Sequence, residues 1–595
     1  IRFGGEHRRY YINSAFVDTP GTYTFHNENT ALPGFSTATG FAYASFLTGD
    51  ARNASVGVNR LTQGVRSRTT AFYIQDDWKV LPNLTLNLGL RWDIPQPFTE
   101  VKDAMSALNP TLPNPGADGF PGALEFLGDC AGCSGRDSFA DIYWRQFGPR
   151  IGLAWAVNQK TVVRGGYGIN YAPPILDGWN YGWFYGFDSS RNLNPRVDTR
   201  FDEDPRYNWD TPYPEFTGTL PNFDPAQRNG DQIPFYPPNT NRMPMTQNWN
   251  FGIQRELPWE TRLEVNYVAT KGTRLNDMYL GYLNQLHPRH LALGDALLDD
   301  INDHPEIPKP YPSFEGTVAQ ALRPFPQFLS VTSHRLAEGF SNYHSLQMTA
   351  TKRSTSGLSF LVAYTFSKAL ATADNAIGSA YYGGYGQDIY NRRADYSVTK
   401  YHVPHDLRLT WIWETPFGQN RRFLRSGPLS HVLGGWTMSA IQHYRSGSPL
   451  GVFTSGYEDQ ALFNPGFRPN VVLPEDQQKF DNFNGELGTP YLNRDAFAPL
   501  PVTGNNIPTR LGDAPRFLPN IRGFSIFSED FSLLKRVNLG FRETTNFEIR
   551  IDVINLFNRV RLADPVQNLD DSNFGMVLEK TGGPRVIQGG LRINF

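Results

Sequence analysis

The sequence predicts an all-β fold, a transmembrane antiparallel β-barrel, on three observations. Segments of roughly ten residues with apolar side chains at every second position recur along the chain, the length that a strand tilted by about 45° needs to cross hydrocarbon. Connections between them alternate between a few turn residues and several dozen residues. No run approaches the 18 or so apolar residues of a transmembrane helix. Only 39% of residues are hydrophobic, while 14% aromatic residues, 55 Gly and 45 Pro supply sheet formers and turn formers.

Taken in order, strands are expected at 1–12, 66–79, 84–95, 147–157, 161–172, 245–257, 261–271, 341–352, 358–369, 403–415, 434–448, 525–537, 545–557 and 584–595, about fourteen in all. Leu84, Leu86, Leu88, Leu90 and Trp92 share one face of the third, and Thr85, Asn87, Gly89, Arg91 and Asp93 the other. The pattern returns in Ile151, Leu153 and Trp155, in Leu358 through Phe366, in Leu407 through Trp413, and in Phe547, Ile549, Ile551 and Val553 opposite Glu548, Arg550 and Asp552. Alternation also suits a half-buried strand of a soluble sandwich or propeller. The loop lengths favour the membrane barrel.

Short connections such as Leu81 to Asn83, Asn158 to Lys160 and Pro258 to Glu260 lie between long ones near 96–146, 173–244, 272–340, 370–402, 449–524 and 558–583. Long structureless loops are uncommon in compact soluble domains, whereas outer-membrane barrels join short periplasmic turns to long extracellular loops. With the last strand ending in the periplasm, one register serves the chain and places it in the bacterial outer membrane. The segment from Pro416 to Gly435 is the exception, a longer periplasmic turn, and a further strand is expected near Phe41 to Leu47. The formal charge of -2 and the absence of a dense basic run give no footprint for nucleic acid. No linker-like shift in composition divides residues 1–595, so one domain is expected.

Several segments resemble, in order, those of the Oar-like TonB-dependent outer-membrane receptors. They are Thr70 to Lys79 (TAFYIQDDWK), Leu84 to Asp93 (LTLNLGLRWD), Gly148 to Trp155 (GPRIGLAW), Arg164 to Tyr171 (RGGYGINY), Gln247 to Leu257 (QNWNFGIQREL) and Tyr364 to Lys368 (YTFSK). His405, Asp406 and Arg408, then Gly434, Gly435 and Trp436, then Asn555, Phe557 and Asn558, and finally Pro584 and Arg585 continue the likeness. The resemblance implies a 22-stranded receptor barrel around a plug, with uptake driven by TonB pulling on an N-terminal box. It also implies that this chain is the C-terminal part of a longer receptor, with roughly eight strands and the plug lying outside it. Phe595, an aromatic ring ending the last strand, resembles the signal read by the outer-membrane assembly machinery.

Cys130 and Cys133, in LGDCAGCSGRD, are expected to form a local disulfide in an outward loop. Free thiols are an alternative; zinc would want further ligands, and c-type haem would want His where Ser134 stands. Trp179, Tyr181, Trp183, Phe184 and Tyr185 crowd into DGWNYGWFYGF, and Tyr381, Tyr382 and Tyr385 stand between glycines in another outer loop. Such rings either stack on a sugar, siderophore or peptide, or join the interfacial girdle and pack the loops. Asp198, Asp202, Glu203 and Asp204 lack the glycine and terminal glutamate of an EF-hand loop and read as a solvated acidic stretch. His402 and His405 tend toward opposite faces of a strand edge and are assigned structural roles. Arg91, Arg164, Arg262 and Arg550 are expected to face a plug as scaffold. No HExxH, GxSxG or Walker loop is present, so no catalytic residue, metal or cofactor is assigned.

The expected role is the wall of a TonB-dependent transporter that binds a scarce solute with its outer loops. Two alternatives stand beside it. One is a surface platform for a partner protein, the other a passive fourteen-stranded pore, which would require the first and last strands to pair.

Overall fold

The computed structural model describes all residues except 15–21, 33–38, 52, 59–61, 173–183, 188, 194–206, 209–218, 240, 277–282, 334–336, 354–356, 373, 375–385, 419–420, 456, 458–466 and 539–544. One antiparallel sheet carries fourteen consecutive long strands. They are β1 (Arg2–Ser14), β2 (Gln63–Leu81), β3 (Leu84–Pro95), β4 (Gln146–Asn158), β5 (Thr161–Tyr171), β6 (Met245–Leu257) and β7 (Thr261–Asn276), followed by β8 (Ala337–Lys352), β9 (Leu358–Ala371), β10 (His405–Glu414), β11 (Trp436–Arg445), β12 (Ile526–Asn538), β13 (Asn546–Ile554) and β14 (Val586–Asn594). Each pairs with the next, as expected for strands joined by short turns and returning loops.

Register turns the alternation of each strand into two continuous faces, because residues directly opposite across a ladder point to the same side. One row runs Leu84, Trp155, Val163, Ile253, Val265, Met348, Tyr364, Leu407, Tyr444, Phe527. On the opposite face a row runs Thr85, Ala154, Arg164, Gly252, Asn266, Gln347, Thr365, Asp406, Arg445. The first face suits lipid and the second water. Large apolar side chains such as Phe72, Leu88, Ile151, Phe251 and Ile551 stand exposed on the first. At Gly252 a Cβ would sit 1.9 Å from the Asn266 Oδ1, so glycine makes room for the asparagine on the polar face.

Among the described residues β1 pairs only with β2, and β14 only with β13. Among the described residues no ladder joins β1 to β14, the pairing that a closed fourteen-stranded ring needs. Phe595 follows β14 and is 94% exposed.

Two expectations are corrected. Phe41 to Leu47, expected as strand, lies at and within a helix, Ala42–Thr48, which ends at Gly49 in the left-handed conformation (φ 81°). That cap lets two backbone N–H groups reach carbonyls of the last turn, a stop that a strand does not use. The long connections are also not structureless, because the described parts hold short sheets and the deepest apolar packing. Ser106–Pro113 pairs with Pro121–Phe126, and Gln232–Pro234 runs parallel to Ser330–Thr332. No helix among the described residues is long and apolar enough to cross a membrane.

Candidate functional site

The long connections all leave one rim of the sheet and pack on one another there. Leu286, Leu297, Phe314 and Val318 from one loop meet Leu500 and Ile507 from another. Leu450, Leu492, Phe497 and Leu518 meet Leu569 and Phe574 of the last loop. Three loops supply Leu124 and Phe126, Ile233, and Phe328 to a further cluster. Burial of this kind, about 1.5 to 3 kcal/mol for each large apolar side chain, gives the loops a hydrophobic core of their own.

A buried polar staple adds fixed geometry. Arg516 is fully buried and ion-pairs with Asp374 at 3.0 Å. Its other nitrogens donate to the carbonyls of Asp395 at 2.7 Å and Ala371 at 2.6 Å. Arg468 pairs with Asp395 at 2.7 Å, and the Gln387 amide donates to the Gly512 carbonyl at 2.8 Å. Gln285 joins a third loop by donating to the Gln387 carbonyl and accepting from the Ile389 N–H. Burial pushes the carboxyls of Asp374 and Asp395 up from the ordinary range, against the pull of the Arg516 and Arg468 guanidiniums. Nothing local in the sequence marks these residues; each partner is distant along the chain.

The structure packs Phe184, 6% exposed, beside Met105, Leu127 and Phe139. Tyr185 leans on the neighbouring cluster, carries the Arg228 guanidinium 4.0 Å above its ring, and accepts a hydrogen bond from Ser106 Oγ at its carbonyl. Trp179, Tyr181, Trp183, Tyr381, Tyr382 and Tyr385 lie outside the described residues, as do Asp198, Asp202, Glu203 and Asp204. The structure brings the sulfurs of Cys130 and Cys133 together with their Cα atoms 5.0 Å apart, a spacing that suits a disulfide, and Cys133 packs against the Phe126 cluster. His402 is buried ahead of β10, whereas His405 on β10 meets the Tyr364 hydroxyl at 2.8 Å. Among the described residues no group of three or more His, Cys, Asp or Glu is placed to hold a metal ion.

Below the loops the polar face is laced with ion pairs between residues two apart on one strand, which share a face. Arg91 with Asp93, Arg262 with Glu264, Arg408 with Asp406 and Arg550 with Asp552 all lie at 2.9 to 3.0 Å. Glu6 reaches from β1 to Arg91 at 3.1 Å. Together with Arg8, Tyr10, Tyr171 and Met243 these groups line a cavity of about 200 Å³ at the head of β1 to β5. Its charged walls suit a small polar group or a docked polar side chain.

Among solved structures the chain resembles the outer membrane transporter YddB from Escherichia coli at 9% identity and a TM-score of 0.39, covering 91% of this chain and 60% of that one. It resembles the ferripyoverdine receptor of Pseudomonas aeruginosa at 10% and 0.35, covering 90% and 40%. The values for the ferric yersiniabactin uptake receptor FyuA from Yersinia pestis are 10% and 0.35, covering 92% and 47%. The chain thus spans about half the length of these proteins. No curated protein sequence matches it. The profile of the outer membrane beta barrel domain matches residues 1–588. With that match and a sheet apolar on one face and polar on the other, this chain belongs to the outer membrane β-barrel family and resides in the bacterial outer membrane.

Proposed function

We propose that residues 1–595 form, as one domain, the membrane wall of a TonB-dependent receptor, with the plug and further strands supplied by polypeptide outside this sequence. The observation that carries the reading is the pairing of a stapled loop assembly on the outer rim with a charged, ion-paired face beneath it. A rigid outer surface selects a ligand at low entropic cost, and a polar inner face accommodates a polar plug or solute. The ordered likeness to Oar-like receptors supports the same reading. Trp179, Tyr181 and Trp183 with Tyr381, Tyr382 and Tyr385 are the proposed ligand contacts. Phe184 and Tyr185 act as the packed base that carries the first group. Phe595 is the proposed assembly signal.

Cells producing the whole receptor, with TonB intact or deleted, would be offered a panel of ferric siderophores, cobalamin, oligosaccharides and peptides. Accumulation of one solute only when TonB is present supports the proposal. Surface binding of a partner protein with no TonB-dependent accumulation would instead favour the platform reading, which the rigidity of the loop core also suits.

A further inference from the structure

The connection between β10 and β11 departs from the short turns of its rim, and the structure shows where it goes. It folds back at Phe417 and Phe423, whose rings lie 6.1 Å apart, and forms a helix at Pro428–Leu433. Gly418 and Gly434 close its base, so near that a Cβ on Gly434 would lie 2.6 Å from the Gly418 Cα.

The helix is held by Lys535 of β12. Its ammonium donates to the carbonyls of His431 at 2.7 Å and Val432 at 3.2 Å, and also to that of Gly434. Trp436 sits 5.2 Å below the ammonium and donates its indole N–H to the Val432 carbonyl at 2.9 Å. Lys535 lies directly opposite Trp436 on one side and Ile549 on the other, so it projects from the apolar face of the sheet. The helix therefore lies against the lipid side of the wall, at the rim of the short turns. A cation on a lipid-facing strand is offset here by carbonyls at a helix C-terminus, where positive charge is favoured.

What this segment leaves outward is apolar and basic. Leu429 is 58% exposed, Val432 62% and Phe423 49%. Between Thr415 and Gly435 there is no Asp or Glu, but Arg421, Arg422 and Arg425 are present and exposed. Arg421 is spoken for by Glu414 of β10 at 2.6 Å. Arg422, stacked 5.3 Å over Phe423, and Arg425, whose Nε donates to the Arg421 carbonyl at 3.0 Å, are exposed.

We propose that residues 416–418 and 421–435 form an interfacial anchor that binds anionic phospholipid headgroups of the periplasmic leaflet. The apolar side chains enter the acyl boundary beside the lipid-facing strands, while Arg422 and Arg425 pair with phosphates, the arrangement of an amphipathic segment lying in the membrane plane. Continuity with the lipid face and the unbalanced positive charge select a lipid surface over a periplasmic protein.

The test uses the whole receptor in liposomes of phosphatidylethanolamine, with or without phosphatidylglycerol. Native mass spectrometry should show phosphatidylglycerol retained over phosphatidylethanolamine, and Arg422→Gln with Arg425→Gln should reduce that retention roughly thirtyfold, at about fivefold per arginine near an anionic surface. Unchanged retention in the double variant overturns the proposal. Independently, an environment-sensitive dye on Val432→Cys should be shielded from a water-soluble quencher in phosphatidylglycerol liposomes. Full quenching there also overturns it, whatever the arginine variants do.

Discussion

Arg516 and Asp374 meet at 3.0 Å with side chains 0% and 4% exposed, at the point where two outer loops cross the top of β9. A buried pair gains little over a hydrophobic pair, but breaking one is costly because the remaining charge is stranded. Arg516 also holds the carbonyls of Asp395 and Ala371, so its loss removes a donor from three acceptors. Arg516→Ala should destabilise the loop assembly by about 3 to 5 kcal/mol, with protease cleavage rising within residues 449–524 while the β-sheet circular dichroism persists. Arg516→Met combined with Asp374→Asn should recover part of the loss. Equal protease resistance of the single variant and the parent would show that the staple is not limiting.

The two faces of the sheet make a paired prediction. Val265 lies on the apolar row between Ile253 and Met348, and Gln347 on the polar row between Asn266 and Thr365. Val265→Arg should cost about 2 to 4 kcal/mol if it sits near the bilayer midplane, and much less for Gln347→Arg in the polar interior. Folding titrations into lipid vesicles compare them. Equal costs would contradict the assignment of faces.

Cys130 and Cys133 enclose two residues, so in the chain-entropy view their bond removes only about 2 kcal/mol from the unfolded state. Thiol labelling of unreduced protein should modify neither, and Cys130→Ser should leave the rest of the loop assembly protected from protease. Modification of both cysteines in unreduced native protein defeats the disulfide assignment.

Most strands are legible because a period of two survives in them, and the register that aligns Trp155 with Val163 follows from the short turn between their strands. The loop core was not legible. Phe126 packs edge-on against Phe223 at 5.3 Å, and Arg516 finds Asp374 across more than a hundred residues, so no local pattern marks either pair. Helix Ala42–Thr48 is hidden in the sequence because Phe41 and Tyr43 alternate as a strand would, although Gly49 just beyond it is a readable helix stop. Phe184 and Tyr185 stand out in the sequence by their rings, but their packing partners, Leu127 and Phe126 among them, come from another loop.

His402 gives the loop assembly a pH dependence whose sign is fixed by its surroundings. Only 2% exposed, it has no hydrogen-bond partner at Nδ1 among the described residues, and its carbonyl accepts from Arg522 at 3.1 Å. Burial first, then the positive charges of Arg522 and Lys368, hold its pKa down at about 4. An unfolded histidine titrates near 6.5, so between those values the unfolded loop binds the proton that the folded loop refuses. The contribution of His402 is fully present above about pH 6.5 and is lost as pH falls toward 4, at about 1.4 kcal/mol per pH unit and up to roughly 3 kcal/mol. Hydrogen exchange over residues 397–404 and 519–524, corrected for the intrinsic rate, should therefore be faster at pH 5 than at pH 7. His402→Gln, neutral at both, should remove that difference. A difference that persists in the glutamine variant would assign the acid response to another group.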